Sequence, residues 1–217
     1  RLDLPHPFLK PSEMEAINKM QFQGWAAKTI DITWPVNEGE KGIVAAIDRV
    51  CAEAALAIED GFDFIVLSDR AANSSRVSMS SLMAVGRVHH HLVSLQKRSR
   101  VGLLLETADA REVHHFCLLL GYGVDALCPY LAMETVLALQ DEGMIKHTAS
   151  KDEILEQYIK ASRDGVVKVM AKMGISTVAS YRGSQIFEAV GLGDEVINTC
   201  FKGTASRIGG LGFYDLA

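Results

Sequence analysis

The sequence predicts an α/β domain: a parallel sheet with crossover helices, in the form of an incomplete or degenerate (β/α) barrel-like fold. Three observations lead there. Short apolar runs alternate with longer stretches of helical periodicity. The runs are apolar almost throughout, as a sheet covered on both faces requires. Five such strand units read clearly in 217 residues, whereas a closed barrel takes eight units and about 250 residues. A doubly wound open sheet is the other architecture compatible with this rhythm, and in either one the strand C-termini form the functional edge.

The first strand is TIDITWP, residues 29–35, followed by the helical pattern GIVAAIDRVCAEAALAIEDG, residues 42–61, with Ile43, Ala46, Ile47, Val50, Ala54 and Ile58 as its apolar stripe. Gly61 is its natural stop. FDFIVLSD ends at Asp69 and passes through the polar loop AANSSRVS into the helix MSSLMAVGRVHHHLVSLQKR. RVGLLLET, ending at Thr107, precedes the helix REVHHFCLLLGYG. VDALCPY, ending at Tyr130, precedes the helix LAMETVLALQDEG. The segment 143–152 is the softest point of what otherwise reads as a single domain over 1–217. Beyond it KDEILEQYIKASRDGVVKVMAKMG has helical spacing, with Gly165 as an expected interruption between two helices. The alternation then resumes with STVASYRG as a strand, SQIFEAVGLG as a helix and EVINTCF as a closing run. The chain starts without Met and ends on a Gly-rich turn that opens an unfinished element, so a piece of a longer polypeptide is expected.

The composition is 48% apolar and 23% charged, with 5 Pro against 18 Gly, which excludes disordered and collagenous classes. The net charge of −5 arises from 22 basic and 27 acidic residues spread along the chain, so no field is directed at nucleic acid or an anionic membrane. There is neither a long apolar run nor a signal-peptide pattern. A soluble intracellular protein is the expectation. Cys51, Cys117, Cys128 and Cys200 are far apart and lie in apolar stretches, so they read as buried reduced thiols.

At the expected strand C-termini stand Ser68, Asp69 and Arg70, then Glu106 and Thr107, then Pro129 and Tyr130, then Ser180, Tyr181 and Arg182. Guanidinia that clamp an anion, with carboxylates that orient it or take protons, would make Asp69, Arg70, Glu106, Tyr130, Tyr181 and Arg182 a binding site. The same residues can equally form an ion-pair network that satisfies a polar rim. Five of the seven histidines lie in two clusters, His89 to His91 and His114 to His115, but neighbours on a helix point about 100° apart and do not chelate together. Glu112 and His115 have ExxH spacing with no second pair. One histidine per cluster is expected to pack inward and the others to face solvent. The turn before Ser184, beside Arg182, could hold a phosphate on free N–H groups, a generic feature of βα turns. GxGxxG, GxxxxGK, GxSxG and HExxH are all absent from the sequence.

The longer strings carry more. AVGRVHHHLVSLQKRSRVGLLLETADAREVHHFCLLLGYGVDALCPYLAMET, then YIKASRDGVVKVMAKMGISTVASYRGSQIFEAVGL, then FKGTASRIGGLGF closely resemble the central domain of the glutamate synthase large chain. The resemblance implies a large enzyme that joins glutamine hydrolysis to reductive amination of 2-oxoglutarate, in bacterial cytoplasm or plastid. Its other parts would be an N-terminal glutaminase domain, an FMN-binding (β/α)8 barrel with an iron–sulfur cluster, and a β-helix. It also implies that the nucleophile, flavin site and cluster ligands lie in those other domains. No catalytic, cofactor-binding or metal-ligating residue is then expected here, and residues 203–217 would be a junction toward the FMN-binding domain. Two functions follow as expectations. One is a non-catalytic connector between the glutaminase and synthase domains. The other is an independent phosphate- or flavin-binding domain that uses Arg70, Glu106, Tyr181 and Arg182.

Overall fold

The computed structural model describes residues 2–20, 24–145 and 149–217. Four strands, β1 (Ala27–Asp31), β3 (Phe64–Ser68), β5 (Gly102–Glu106) and β6 (Ala126–Cys128), form one parallel sheet in the order β1-β3-β5-β6. Sequence order equals spatial order, with Thr29 beside Val66, Val66 beside Leu104 and Leu104 beside Ala126. This is an open arc of (β/α) units. Its crossovers are α2 (Gly39–Glu59), α3 (Ser81–Ser94) and α4 (Val113–Gly121).

Alternate side chains of these strands enter two separate cores, as the two-residue period of a strand dictates. Ile65, Leu67, Leu103, Leu105 and Leu127 pack with the stripes of the crossover helices, including Ile43, Ile47, Val50 and Ala54 of α2. Val66, Leu104, Ala126 and Cys128 face the other way, onto Leu9, Met14 and Ile17. The last two belong to α1 (Pro11–Asn18), which has Pro at its start and the Glu13 carboxylate accepting the Lys10 N–H at 2.8 Å. Residues 7–9 extend the sheet beyond β6: the Leu9 N–H donates to Leu127 O at 2.9 Å and the Leu127 N–H to Pro7 O at 2.8 Å. The N-terminal segment therefore covers the face that a closed barrel would turn to its interior.

The expected first strand divides. The Asp31 carboxylate accepts the Thr33 N–H at 2.8 Å, and β2 (Thr33–Pro35) leaves the sheet to pair antiparallel with β4 (Arg76–Ser78), inside the loop expected after Asp69. Past the four units, α5 (Tyr130–Asp141) leads toward the 143–152 segment, in which 146–148 lie outside the described residues. The next helix, α6 (Lys151–Lys172), is continuous. Its Ser150 cap accepts the Glu153 N–H at 3.3 Å. Gly165 is no interruption: it lets α6 close on α4, since a Cβ there would stand 2.3 Å from Val113 Cγ2.

The assignments after residue 175 are corrected. The expected strand STVASYRG contains the short helix α7 (Val178–Tyr181), capped by Thr177. The expected helix SQIFEAVGLG contains β7 (Glu188–Leu192), in which Gly191 adopts φ 79° at a register shift. The run EVINTCF lies mostly in α8 (Asp194–Cys200), which buries Val196, Ile197 and Cys200 at helical spacing. Its β-branched content mimics a strand, and packing overrides that propensity. Parallel to β7 runs β8 (Ala205–Leu211), followed by α9 (Phe213–Leu216). No helix among the described residues is long and apolar enough to cross a membrane.

Candidate functional site

Four of the six candidate residues meet at the C-terminal edge of the arc. Ser68 and Glu106 end adjacent strands in register, so the Ser68 hydroxyl donates to Glu106 Oε2 at 2.7 Å. Arg70 Nε donates to Glu106 Oε1 at 2.5 Å, and Nη1 reaches Glu134 of α5 at 3.4 Å. The same guanidinium lies 3.8 Å from the Tyr130 ring centroid. The Glu106 side chain is 8% exposed and that of Arg70 41%, so a half-exposed cation neutralises a buried carboxylate and already serves a second one.

Asp69, on the neighbouring residue, is buried. Its Oδ2 accepts from the Ala108 N–H at 2.7 Å and the Thr107 hydroxyl at 3.0 Å, while Oδ1 is buried with no hydrogen-bond partner among the described residues. Burial pushes the Asp69 carboxyl above its usual range, and the Ala108 N–H, the nearby Tyr130 phenol and the Thr107 hydroxyl draw it part of the way back. Burial, with Asp69 beside it, likewise raises the Tyr130 phenol. The network runs inward: Thr107 and Ser81 share a hydroxyl contact at 2.6 Å, and Asp109 accepts the Ser81 N–H at 3.0 Å, tying the start of α3 to the β5 loop.

Tyr181 and Arg182 are not part of this cluster, because the segment that carries them is no strand. Tyr181 is fully buried, edge-on to Phe187 at 6.4 Å, and burial beside Cys117 raises its phenol. Arg182 pairs with Asp125, just before β6, at the N-terminal edge of the sheet. There Asp125 Oδ2 also accepts Arg98 Nη2 and the Leu103 N–H, both at 2.8 Å. Arg98 Nε donates to His89 Nδ1 at 3.1 Å, and its other groups reach Val101 O and Gly123 O at 2.9 and 2.7 Å. A cleft of about 830 Å³ opens at this edge, with Trp25, Phe64, Arg98, Asp125 and Arg182 in its wall. Sequence reading missed Glu134, Asp125 and Arg98. Glu134 was detectable as the residue one helical turn beyond Tyr130. The other two carry no local signal.

His89, His90 and His91 are all half-buried, a departure from the expectation that two would face solvent. Burial first, then Arg98 and His90, lower His89 to about 4. Glu112 and His115 stand 3.4 Å apart as an ordinary i,i+3 pair. Among the described residues no group of three or more His, Cys, Asp or Glu is placed to hold a metal. All four cysteines are free and buried, and burial pushes the thiols of Cys51 to about 11 and of Cys128 and Cys200 to about 12. Scattered protonated thiols do not fit an iron–sulfur cluster. At the C-terminal edge Arg70 is already paired with Glu106 and Glu134, so an anion there would meet two carboxylates beside the one guanidinium.

A parallel arc with crossover helices on one face places the chain among the α/β barrel-like domains, without a closed barrel. A solved structure of flavocytochrome b2 with sulfite bound shares this fold, with a TM-score of 0.52 and 13% identity over 71% of this chain and 39% of that one. The family model described as the glutamate synthase central domain matches residues 1–193, and the chain belongs to that family. The NADH glutamate synthase of Schizosaccharomyces pombe is 49% identical over 100% of the chain, which covers 10% of that relative. The NADPH glutamate synthase large chain of Bacillus subtilis is 39% identical over 100% of the chain, which covers 14% of it. A chloroplastic ferredoxin-dependent glutamate synthase of Spinacia oleracea is 35% identical over 99% of the chain, and again 14% of that protein is covered. The chain thus spans about a tenth to a seventh of these relatives' length.

Proposed function

We propose that residues 1–217 are a non-catalytic connector within a glutamate synthase. They would hold a glutaminase domain and an FMN- and iron–sulfur-dependent synthase domain in register, so that ammonia released by the first reaches 2-oxoglutarate at the second. The observation that carries this reading is that the candidate site is consumed by its own ion pairs: Arg70 is engaged by Glu106 and Glu134, and Arg182 by Asp125 at the other edge. In this reading the chain is one domain with a soft point at 143–152, residues 203–217 lead toward the synthase domain, and flavin and cluster belong to other parts of the polypeptide. Relatives in a bacterium and a chloroplast support a setting in bacterial cytoplasm or plastid.

Thermal unfolding of the isolated chain with FMN, a sugar phosphate, glutamine and 2-oxoglutarate tests the reading. A ligand at 100 times its dissociation constant adds about 2.7 kcal/mol of stability, an easily measured shift. The expected result is no shift with any of the four. A saturable shift with FMN or the phosphate would overturn the connector reading in favour of a binding domain.

A further inference from the structure

The strands β7 and β8 form a two-stranded parallel sheet, and one face of it is uncovered. Parallel pairs are found where both faces are buried, and two strands alone offer too little apolar contact to be stable. Ala189 and Leu192 pack against the main core. Val190 is 69% exposed, Ile208 61% and Leu211 48%. Val190 and Ile208 are register partners, so their side chains stand together as a largely exposed cross-strand pair. The far edge of β8 is unpaired among the described residues and offers backbone donors and acceptors. A Cβ on Gly209 would meet nothing within 4 Å, so a further backbone has room to approach.

What covers this face is indicated by how far along the chain each match runs. The central-domain match stops at residue 193, before α8 and β8. The S. pombe relative nevertheless matches along the whole chain and is about ten times longer. The last two dozen residues are therefore shared with polypeptide that the central-domain family does not include.

We infer that the uncovered face and free edge of β7–β8 are the docking site for the segment of the glutamate synthase polypeptide C-terminal to residue 217. That segment adds a strand along β8 and covers Val190 and Ile208. The inference rests on the connector reading, because it assumes that these residues sit inside the longer chain.

Hydrogen exchange on residues 1–217 alone and on a full-length glutamate synthase carrying them tests it. The β8 amides that do not donate to β7 are expected to exchange at least about tenfold more slowly in the long chain. Ile208→Asp in the long chain is expected to abolish that difference; if this variant fails to fold, the wild-type comparison still decides. Equal exchange in the two chains overturns the inference. So does protection in the short chain that rises with its concentration, which would assign the face to a second copy. The connector reading is judged separately, by FMN binding to residues 1–217: protection of β8 in the long chain together with saturable FMN binding by residues 1–217 would keep the docking site, which needs only that these residues sit inside the longer chain, and discard the non-catalytic connector.

Discussion

At Asp69 burial raises the carboxyl above its usual range, and one of its oxygens has no hydrogen-bond partner among the described residues. The folded state then holds the proton more tightly than the unfolded one. Asp69 therefore costs stability as pH rises through its folded value, and the cost is constant above it. Asp69→Asn keeps an acceptor for the Ala108 and Thr107 donors without the charge. Its urea midpoint is expected to equal or exceed wild type at pH 7 and to lose any advantage at pH 3.5. His89 has the opposite sign. Its ring, lowered from 6.5 to about 4, contributes stability above pH 6.5 that is lost as pH falls toward 4. Protonation also removes the Nδ1 acceptor from Arg98. His89→Gln is expected to flatten part of the acid limb in urea titrations between pH 7 and 4.5. His90 and His91, which burial shifts the same way, contribute to the slope left over. Neither effect was legible in the sequence, because a histidine triplet on a helix does not state which ring faces Arg98.

Among the elements, β3, β5 and β6 were readable because each is a short apolar run bounded by polar or glycine residues, as buried parallel strands are. The eight-residue α1 escaped notice because only Met14 and Ile17 mark its buried side. The exchange of strand and helix after residue 175 followed from composition: EVINTC is rich in strand-favouring residues, yet its burial follows the helical period. Gly165 offers a direct test of the corrected α6. Gly165→Ala should gain about 1 kcal/mol of helix propensity but drive a methyl into Val113, an overpacking that costs about 1–3 kcal/mol. A net loss near 1 kcal/mol is expected by chemical denaturation. A double-mutant cycle with Val113→Ala should show coupling of at least about 1 kcal/mol; additivity would mean that the two helices do not meet there.

Over the whole molecule, α8 joins the arc to the β7–β8 sheet through one close approach: a Cβ on Gly86 of α3 would lie 2.3 Å from the Cys200 carbonyl oxygen. Backbone cannot yield as a side-chain end can, so Gly86→Ala should lower stability by about 1–3 kcal/mol. In a full-length glutamate synthase the connector reading adds a second expectation, that this variant retains glutamine hydrolysis while forming less glutamate per glutamine consumed. Loss of both activities together would point to a catalytic contribution instead. The chain's local patterns were enough to establish the α/β class, three of the four arc strands, the crossover helices and, through long collinear strings, the family. Periodicity and composition act over a few residues, and each of those features is local or cumulative. Which edge receives Tyr181 and Arg182, how Arg70 is divided between Glu106 and Glu134, and that residues 7–18 cover the open face of the arc depend on partners tens of residues away. Those pairings exist only once burial has removed water as the competing partner, and no local pattern records them.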